Sequence, residues 1–284
     1  MGQLVLAAKV THVPSLMLSE APGSPLRAAR EDAVKSLREL GRRAKERGVT
    51  TFVVFDTHWL SNFGYHINAR AQHRGSFTSH EAPHMIQDLR YDLPGNTALA
   101  DAIAGRAAAG ELNVIAHDVA SLGLEYGTIV PMHYMNPDGW AKVVPVASPL
   151  FTSLEESKVL GEAIRRAIDR SSERVAILAS GSLSHRLWPN KKLGPEAWTS
   201  IASEFNRQVD LRVLELWQSG RYREFLDMLP DYAVKCNGEA GMADTIMLFA
   251  ALGWYDYRGR AEQLCDYFPS SGSGQVNVEF HLEA

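Results

Sequence analysis

The sequence predicts an α/β fold in a single domain, with a central mostly parallel or mixed β-sheet flanked by helices on both faces. Three observations carry this. Phe52-Val53-Val54-Phe55 is apolar throughout rather than alternating, as in a strand covered on both faces. A strand-like run, an amphipathic stretch and a second strand-like run follow one another up to His58, the order of a right-handed crossover unit. The 284 residues contain no internal repeat, low-complexity tract or linker, so one domain over 1–284 is the simpler reading.

Taken in order, residues 3–10 read as a strand that leads to His12 and turns at Pro14. After the loop Pro22-Gly23-Ser24-Pro25, apolar residues at Ala29, Ala33, Leu37, Leu40 and Ala44 mark one face of a helix, with Gly48 past its end. The strand of Phe52–Phe55 loses its apolarity at Asp56, just before His58. Residues 65–68 read as a short strand. The stretch 69–96 is irregular, long enough for a functional lid, and carries His73, His80 and His84. A helix over 97–109, a strand over 112–116 and a loop entering a short helix at 124–131 follow. Then come a strand over 142–147, a helix over 155–171 and a buried strand over 174–179 that exits into Ser180-Gly181-Ser182-Leu183-Ser184-His185. Residues 195–218 read as one long helix with Trp198 and Ile201 inward, and Phe225, Leu226 and Leu229 as a short helix ending at Pro230. Gly238-Glu239-Ala240-Gly241 precedes an apolar helix over 242–252. Two strands, 261–268 and 275–282, flank the turn Ser270–Gly274.

Composition excludes several classes. The apolar fraction is 45% and the charged fraction 22%, ordinary for a soluble globular chain. A net charge of -4 gives no electrostatic footprint for nucleic acid. The opening apolar run, Leu4–Ala8, is too short for a signal peptide or a membrane span. Cys236 and Cys265 are too few for a disulfide framework, and a reduced, cytoplasmic setting is expected.

Ligands in open α/β sheets bind beyond the carboxyl ends of strands. Three strands here end near a histidine. His12, His58 and Glu239 are candidates for a 2-His-1-carboxylate set, which leaves the opposite face of a metal open and is typical of non-haem Fe(II) oxygenases. At the start of a helix, Glu239 would be favoured in the ionised form that a metal needs. Taken singly, His12 reads equally as a strand-end histidine bonded to backbone, and Glu239 more readily as an N-terminal helix charge. His185 is a candidate general acid/base, since an unperturbed imidazole titrates near working pH. A nucleophilic serine in the 180–185 loop is the weaker reading, because Ser180 and Ser184 stand where an elbow motif has glycines. Tyr126 is a candidate hydrogen-bond donor to a bound oxygen, and equally a packed loop aromatic.

Five segments in order carry a resemblance: Thr11-His12-Val13-Pro14-Ser15, Phe55-Asp56-Thr57-His58-Trp59, Glu125–Pro131, Ser180–His185 and Asn237-Gly238-Glu239. They resemble the class III extradiol ring-cleavage dioxygenases of the protocatechuate 4,5-dioxygenase type, nearly end to end and including Ser270–Asn277. Within them the chain is similar to the homoprotocatechuate 2,3-dioxygenase branch. The resemblance implies Fe(II) held by His12, His58 and Glu239, with His185 as acid/base. Many relatives have a histidine before the glycine of the 125–127 region; Tyr126 stands there, so a second acid/base histidine is not carried over.

The implied reaction inserts both atoms of dioxygen into a catechol, with no organic cofactor, and the implied substrate is 3,4-dihydroxyphenylacetate. Another catechol, or 2-aminophenol, is the alternative, as is a Zn²⁺ hydrolase on the same ligands. For an acidic side chain, Arg186 and His133 are the nearest candidates by sequence, with Lys191-Lys192 to steer it; each reads individually as a solvated surface charge. No nucleic-acid or membrane partner is expected, and a homo-oligomer is.

Overall fold

The computed structural model describes residues 1–282. The chain opens with β1 (Gln3–Val10), the short α1 (Ser15–Glu20) and the long α2 (Arg27–Glu46), which buries the expected stripe of Ala33, Leu37, Leu40 and Ala44. Next come β2 (Thr51–Ser61), β3 (Tyr65–Asn68), β4 (Gln72–Phe77), β5 (Leu89–Pro94), α3 (Thr97–Ala108), β6 (Val114–His117) and α4 (Tyr126–Met135). β7 (Lys142–Pro149), α5 (Leu154–Arg170) and β8 (Arg174–Ser180) complete the second crossover unit. Ser153 and Glu156 close a reciprocal capping box at the start of α5. The remainder is α6 (Glu204–Gln218), α7 (Tyr222–Lys235), α8 (Ala243–Leu252) and four short strands, β9 (Ala261–Gln263), β10 (Phe268–Ser270), β11 (Ser273–Gln275) and β12 (Val278–Phe280).

The central sheet has eight strands in the order β6-β3-β7-β2-β8-β1-β12-β9. Its middle, β7-β2-β8-β1, is parallel, and antiparallel pairings at β3-β7, β1-β12 and β12-β9 make it mixed. β1, β2 and β8 are buried along nearly their whole length, which requires cover on both faces. That cover comes from α1, α2 and α4 packed together, and from α3, α5 and α8 packed together. The parallel strands end at the same edge of the sheet, and their carboxyl ends create the crevice. Among the described residues no helix is long and apolar enough to cross a membrane.

Several expectations change, among them the two strands expected over 261–268 and 275–282: four short strands stand there, with β10 paired to β11 across Ser271-Gly272. β2 does not stop at Asp56 but runs to Ser61, with a register shift against β7 between Asp56 and Leu60 that lifts Thr57, His58 and Trp59 out of the ladder. The stretch 69–96 is not irregular throughout. β4 and β5 pair as an antiparallel ribbon joined by the 78–88 loop. The long helix starts late: Ser203 caps the Asn206 N–H, and residues 195–199 form a separate 3₁₀ turn that leaves Trp198 free to face the crevice. α7 continues through Pro230 to Lys235. A proline removes one helical hydrogen bond, and the buried Tyr232 beyond it is anchored by donating to Asp210 at 2.6 Å.

Candidate metal centre and active-site cavity

Each of three strand ends delivers one part of a site. β1 leads into Thr11 and His12. Thr11 N–H donates to Asn277 Oδ1 at 2.8 Å and its hydroxyl to Gln275 Oε1 at 2.6 Å, which fixes the chain just before the histidine. The bulge in β2 delivers His58. Buried Asp56 makes it, accepting from the N–H groups of His58 and Trp59 at 2.8 and 3.1 Å, and from Thr128 Oγ1 at 2.7 Å. Residue 127 must then be glycine, because a Cβ there would lie 2.0 Å from Asp56 Oδ1. The end of β8 delivers Ser180 and the 181–185 loop. Gly181 passes over the fully buried ion pair of Lys9 and Asp244, where a Cβ would lie 2.7 Å from Asp244 Oδ2. Removing one partner of such a pair typically costs about 3–5 kcal/mol, so this pair is a structural floor.

Glu239 comes from the opposite side. It does not begin α8 as expected but lies a turn upstream, in a segment where Asn237, Ala240, Gly241 and Met242 all have left-handed φ angles of 46° to 64°. Such strain collects at functional sites. A helix dipole is therefore not what supports the carboxylate. Instead Thr57 Oγ1 donates to Oε1, while Ser182 donates to Oε2 from its N–H at 2.6 Å and from its hydroxyl. Burial alone would raise the Glu239 pKa; the neighbouring His185 and His12 rings outweigh it and hold the carboxyl well below its usual range.

These elements bring His12, His58 and Glu239 together. Glu239 Oε1 lies 3.4 Å from Nε2 of each histidine, and one donor atom from each residue falls within 4.8 Å of the others. Two donors at right angles around one ion, each about 2.1 Å from it, lie about 3 Å apart, so the spacing suits a single metal. Hydrogen bonds also prepare His12. Ser180 Oγ donates to the Gly127 carbonyl at 2.5 Å, so it accepts from His12 Nδ1–H at 2.9 Å, leaving the Nε2 lone pair toward the site.

His185 faces the other carboxylate oxygen. Its Nδ1 is 3.3 Å from Glu239 Oε2 and 2.7 Å from Ser182 Oγ. Since the Ser182 hydroxyl donates to Glu239, it accepts from His185 Nδ1–H. Nε2 is then the basic nitrogen, with no protein partner among the described residues. Tyr126 begins α4, and its hydroxyl lies 2.7 Å from His58 Nε2 and donates to Glu81 Oε2 at 2.8 Å. Burial and the Glu81 charge raise its pKa, so it remains a phenol.

All five residues line one cavity of about 300 Å³, whose other walls include Glu81, Met85, Trp188 and Trp198. His133 and Arg186 are not brought there. His133 is seven residues after Tyr126, about two helical turns away, and its Nε2 lies 3.6 Å from Glu20. Arg186 is exposed and outside the lining, as are Lys191 and Lys192. Reasoning from sequence missed Glu81, and it weighed Ser180 and Ser182 as parts of a nucleophilic loop rather than as partners of His12, His185 and Glu239. Glu81 lies in a loop without periodicity. Asp56 had a readable signal, because an aspartate two residues before a strand-end histidine suits a side-chain-to-backbone turn.

A second His/Glu group, Glu262, Glu279 and His281, is compensated differently: Arg43 lies 3.0 and 2.7 Å from the two carboxylates and Arg47 also pairs with Glu279.

A family profile described as the catalytic LigB subunit of aromatic ring-opening dioxygenase matches residues 6–281. The chain belongs to this family. It is 46% identical to the 3,4-dihydroxyphenylacetate 2,3-dioxygenase of Escherichia coli, across 93% of this chain and 95% of that one. To the 2-aminophenol 1,6-dioxygenase beta subunit of a Pseudomonas species it is 25% identical, across 99% and 95%. The crystal structure of an uncharacterized protein from Escherichia coli K12 superposes with a TM-score of 0.69 at 17% identity, across 97% of this chain and 99% of that one, a likeness of fold. The chain is thus an extradiol ring-cleavage dioxygenase, and the hydrolase alternative falls away. Membership of the LigB family implies a metal cofactor, for which His12, His58 and Glu239 are the candidate site.

Proposed function

We propose that this chain, as a single catalytic domain, cleaves 3,4-dihydroxyphenylacetate beside its two hydroxyls, with Fe(II) held by His12, His58 and Glu239. The substrate is supported by the 46% identity to the Escherichia coli enzyme of that name. The iron is supported by the donor set, two imidazoles and one carboxylate gathered on one side. Bound Fe(II) supplies the redox-active Lewis acid that lets triplet dioxygen react with a closed-shell catechol.

The protein's residues then have separate tasks. His185 Nε2 takes a phenolic proton from the catechol and returns it later in the reaction, with Ser182 fixing its tautomer. Tyr126 keeps a neutral phenol beside His58, its proton held by Glu81 until a bound oxygen displaces that carboxylate. Trp188, Trp198 and Met85 supply apolar walls that hold the ring and limit water. Both oxygen atoms end in the product, 5-carboxymethyl-2-hydroxymuconate semialdehyde.

Oxygen uptake by the iron-loaded protein, measured over 3,4-dihydroxyphenylacetate, protocatechuate, 2,3-dihydroxyphenylpropionate, catechol and 2-aminophenol, tests this. The highest kcat/KM is expected for 3,4-dihydroxyphenylacetate, with one O₂ consumed per yellow semialdehyde formed. A preference for catechol or 2-aminophenol rejects the substrate assignment.

The proposal includes a homo-oligomer. Leu60 and Phe63 after the β2 bulge, and Leu150 and Phe151 after β7, are exposed at adjoining strand ends, tied by the Leu150 N–H donating to the Ser61 carbonyl at 2.8 Å. Light scattering should give a mass above the 31.4 kDa of one chain; a monomer at working concentration refutes this part.

A further inference from the structure

The cavity lacks an obvious partner for an acidic side chain. None of its described lining residues is a lysine or arginine, and its two carboxylates, Glu81 and Glu239, would repel an anion. His12, His58 and His185 are engaged with Glu239, and His84 is exposed.

A cation lies one layer behind the wall. Arg30, on α2, is 1% exposed, yet no carboxylate among the described residues pairs with it. Its acceptors are all neutral: Ser15 Oγ at 2.8 Å and the carbonyls of Ala29, Trp198 and Pro269 at 3.2, 2.5 and 3.1 Å. The Phe268 ring lies 4.9 Å from the guanidinium carbon. Buried charges are ordinarily paired, so an unpaired guanidinium needs a reason. Burial lowers its pKa to about 10, which leaves it charged at neutral pH.

Ser15 connects this charge to the cavity. Its oxygen accepts from Arg30 Nε and lies 3.2 Å from Ser270 Oγ, and both serines line the cavity. Because Ser15 Oγ already accepts from a cation, its own proton is polarised and can be given to Ser270 Oγ or, when Ser270 donates instead, to a ligand in the cavity. From Ser270 the polar wall continues toward the metal centre: Ser273 Oγ donates to the Ser270 carbonyl at 2.6 Å, and Gln275, which holds Thr11 beside His12, donates to Ser273 at 2.8 Å.

We infer that Arg30, acting through the hydroxyl of Ser15, is the charge that selects catechols bearing a carboxylate. Arg30 is a specificity-determining, positioning residue that does not touch the substrate. A carboxylate accepting from Ser15 would lie within about 6 Å of the guanidinium, close enough for a substantial attraction in a partly dry cavity. The inference rests on the substrate reading above.

The test compares 3,4-dihydroxyphenylacetate with 4-methylcatechol, which keeps the ring and loses the carboxylate. It uses iron-loaded wild type, Arg30→Met, Arg30→Lys and Ser15→Ala, with anaerobic Kd measured beside kcat/KM. The wild type is expected to favour the acid. In Arg30→Met the ratio of the two kcat/KM values should fall at least about tenfold, mainly through KM, in line with a Coulomb term that only the acid feels. Arg30→Lys should retain most of the preference, and Ser15→Ala should lose part of it. Equal losses on both catechols in Arg30→Met mean a merely structural arginine and overturn the inference. If a thermal melt shows Arg30→Met unfolded, Ser15→Ala decides, and an unchanged ratio there overturns it. A wild type that does not favour the acid rejects the substrate reading, and this inference with it, before any variant is compared.

Discussion

Replacing His58 by alanine is expected to abolish ring cleavage and to strip the metal from the protein while the sheet survives. His58 supplies one of only three protein donors in the candidate centre, 3.4 Å from the carboxylate oxygen that faces His12 as well. Removing an outer hydrogen-bond partner from a metal site costs about 10–100-fold in affinity or activity; loss of a ligand itself should exceed that range. The fold should tolerate the change because the side chain leaves the ladder at a bulge, held by Asp56 through backbone N–H groups that alanine keeps. Metal analysis after desalting, alongside a thermal melt, separates the two effects. Full iron occupancy in a folded His58→Ala would refute the ligand assignment. The same loss is expected for His12→Ala and Glu239→Ala.

His185→Gln should behave differently: it should keep iron and bind catechol, yet turn over at least about a hundredfold slower, the usual lower range for a missing general acid/base. The distinction follows from the two oxygens of Glu239. Oε1 faces His12 and His58, whereas His185 lies on the Oε2 side with Nδ1 bonded to Ser182. A glutamine amide still donates to Ser182 but cannot hold the proton that imidazole Nε2 carries. Single-turnover rates and iron content measured on one preparation decide the matter. Iron loss in this variant would make His185 a ligand and end its assignment as acid/base.

The residues that strand periodicity could deliver were legible in the sequence. Apolar runs place β1, β2 and β8, and the histidines beyond them enter the crevice because parallel strands end at one edge. The ends of elements were less legible. Whether Pro230 stops a helix depends on Tyr232 finding Asp210, a contact made across the fold. Where α6 begins depends on Ser203 competing as a cap with the preceding 3₁₀ turn. The supporting polar groups were hidden for the same reason: Ser180 meets His12 from a distant strand, and Ser182, though in the same loop as His185, becomes its acceptor only when Glu239 takes the Ser182 proton. Arg186 and His133 were chosen by proximity along the chain, whereas Arg30, on an early helix, reaches the cavity wall through Ser15.

The loops bearing Glu239 and His185 are laced together. Ser184 pairs antiparallel with Gly238, the His185 N–H donates to the Asn237 carbonyl at 2.9 Å, and Asp210 accepts from the Ser184 hydroxyl at 2.7 Å. The outer walls are tied differently: Glu81 of the 78–88 loop accepts from the Tyr126 hydroxyl at 2.8 Å, and the Trp188 N–H donates to the Ser271 carbonyl at 3.3 Å. An inherited mutation therefore meets two very different constraints. In the laced half it disturbs the candidate acid/base and a candidate metal ligand at once; in the outer half, Glu81 apart, it reshapes the apolar walls around the ring. The fit of the ring can therefore change through the apolar residues of the outer loops without moving the donor set.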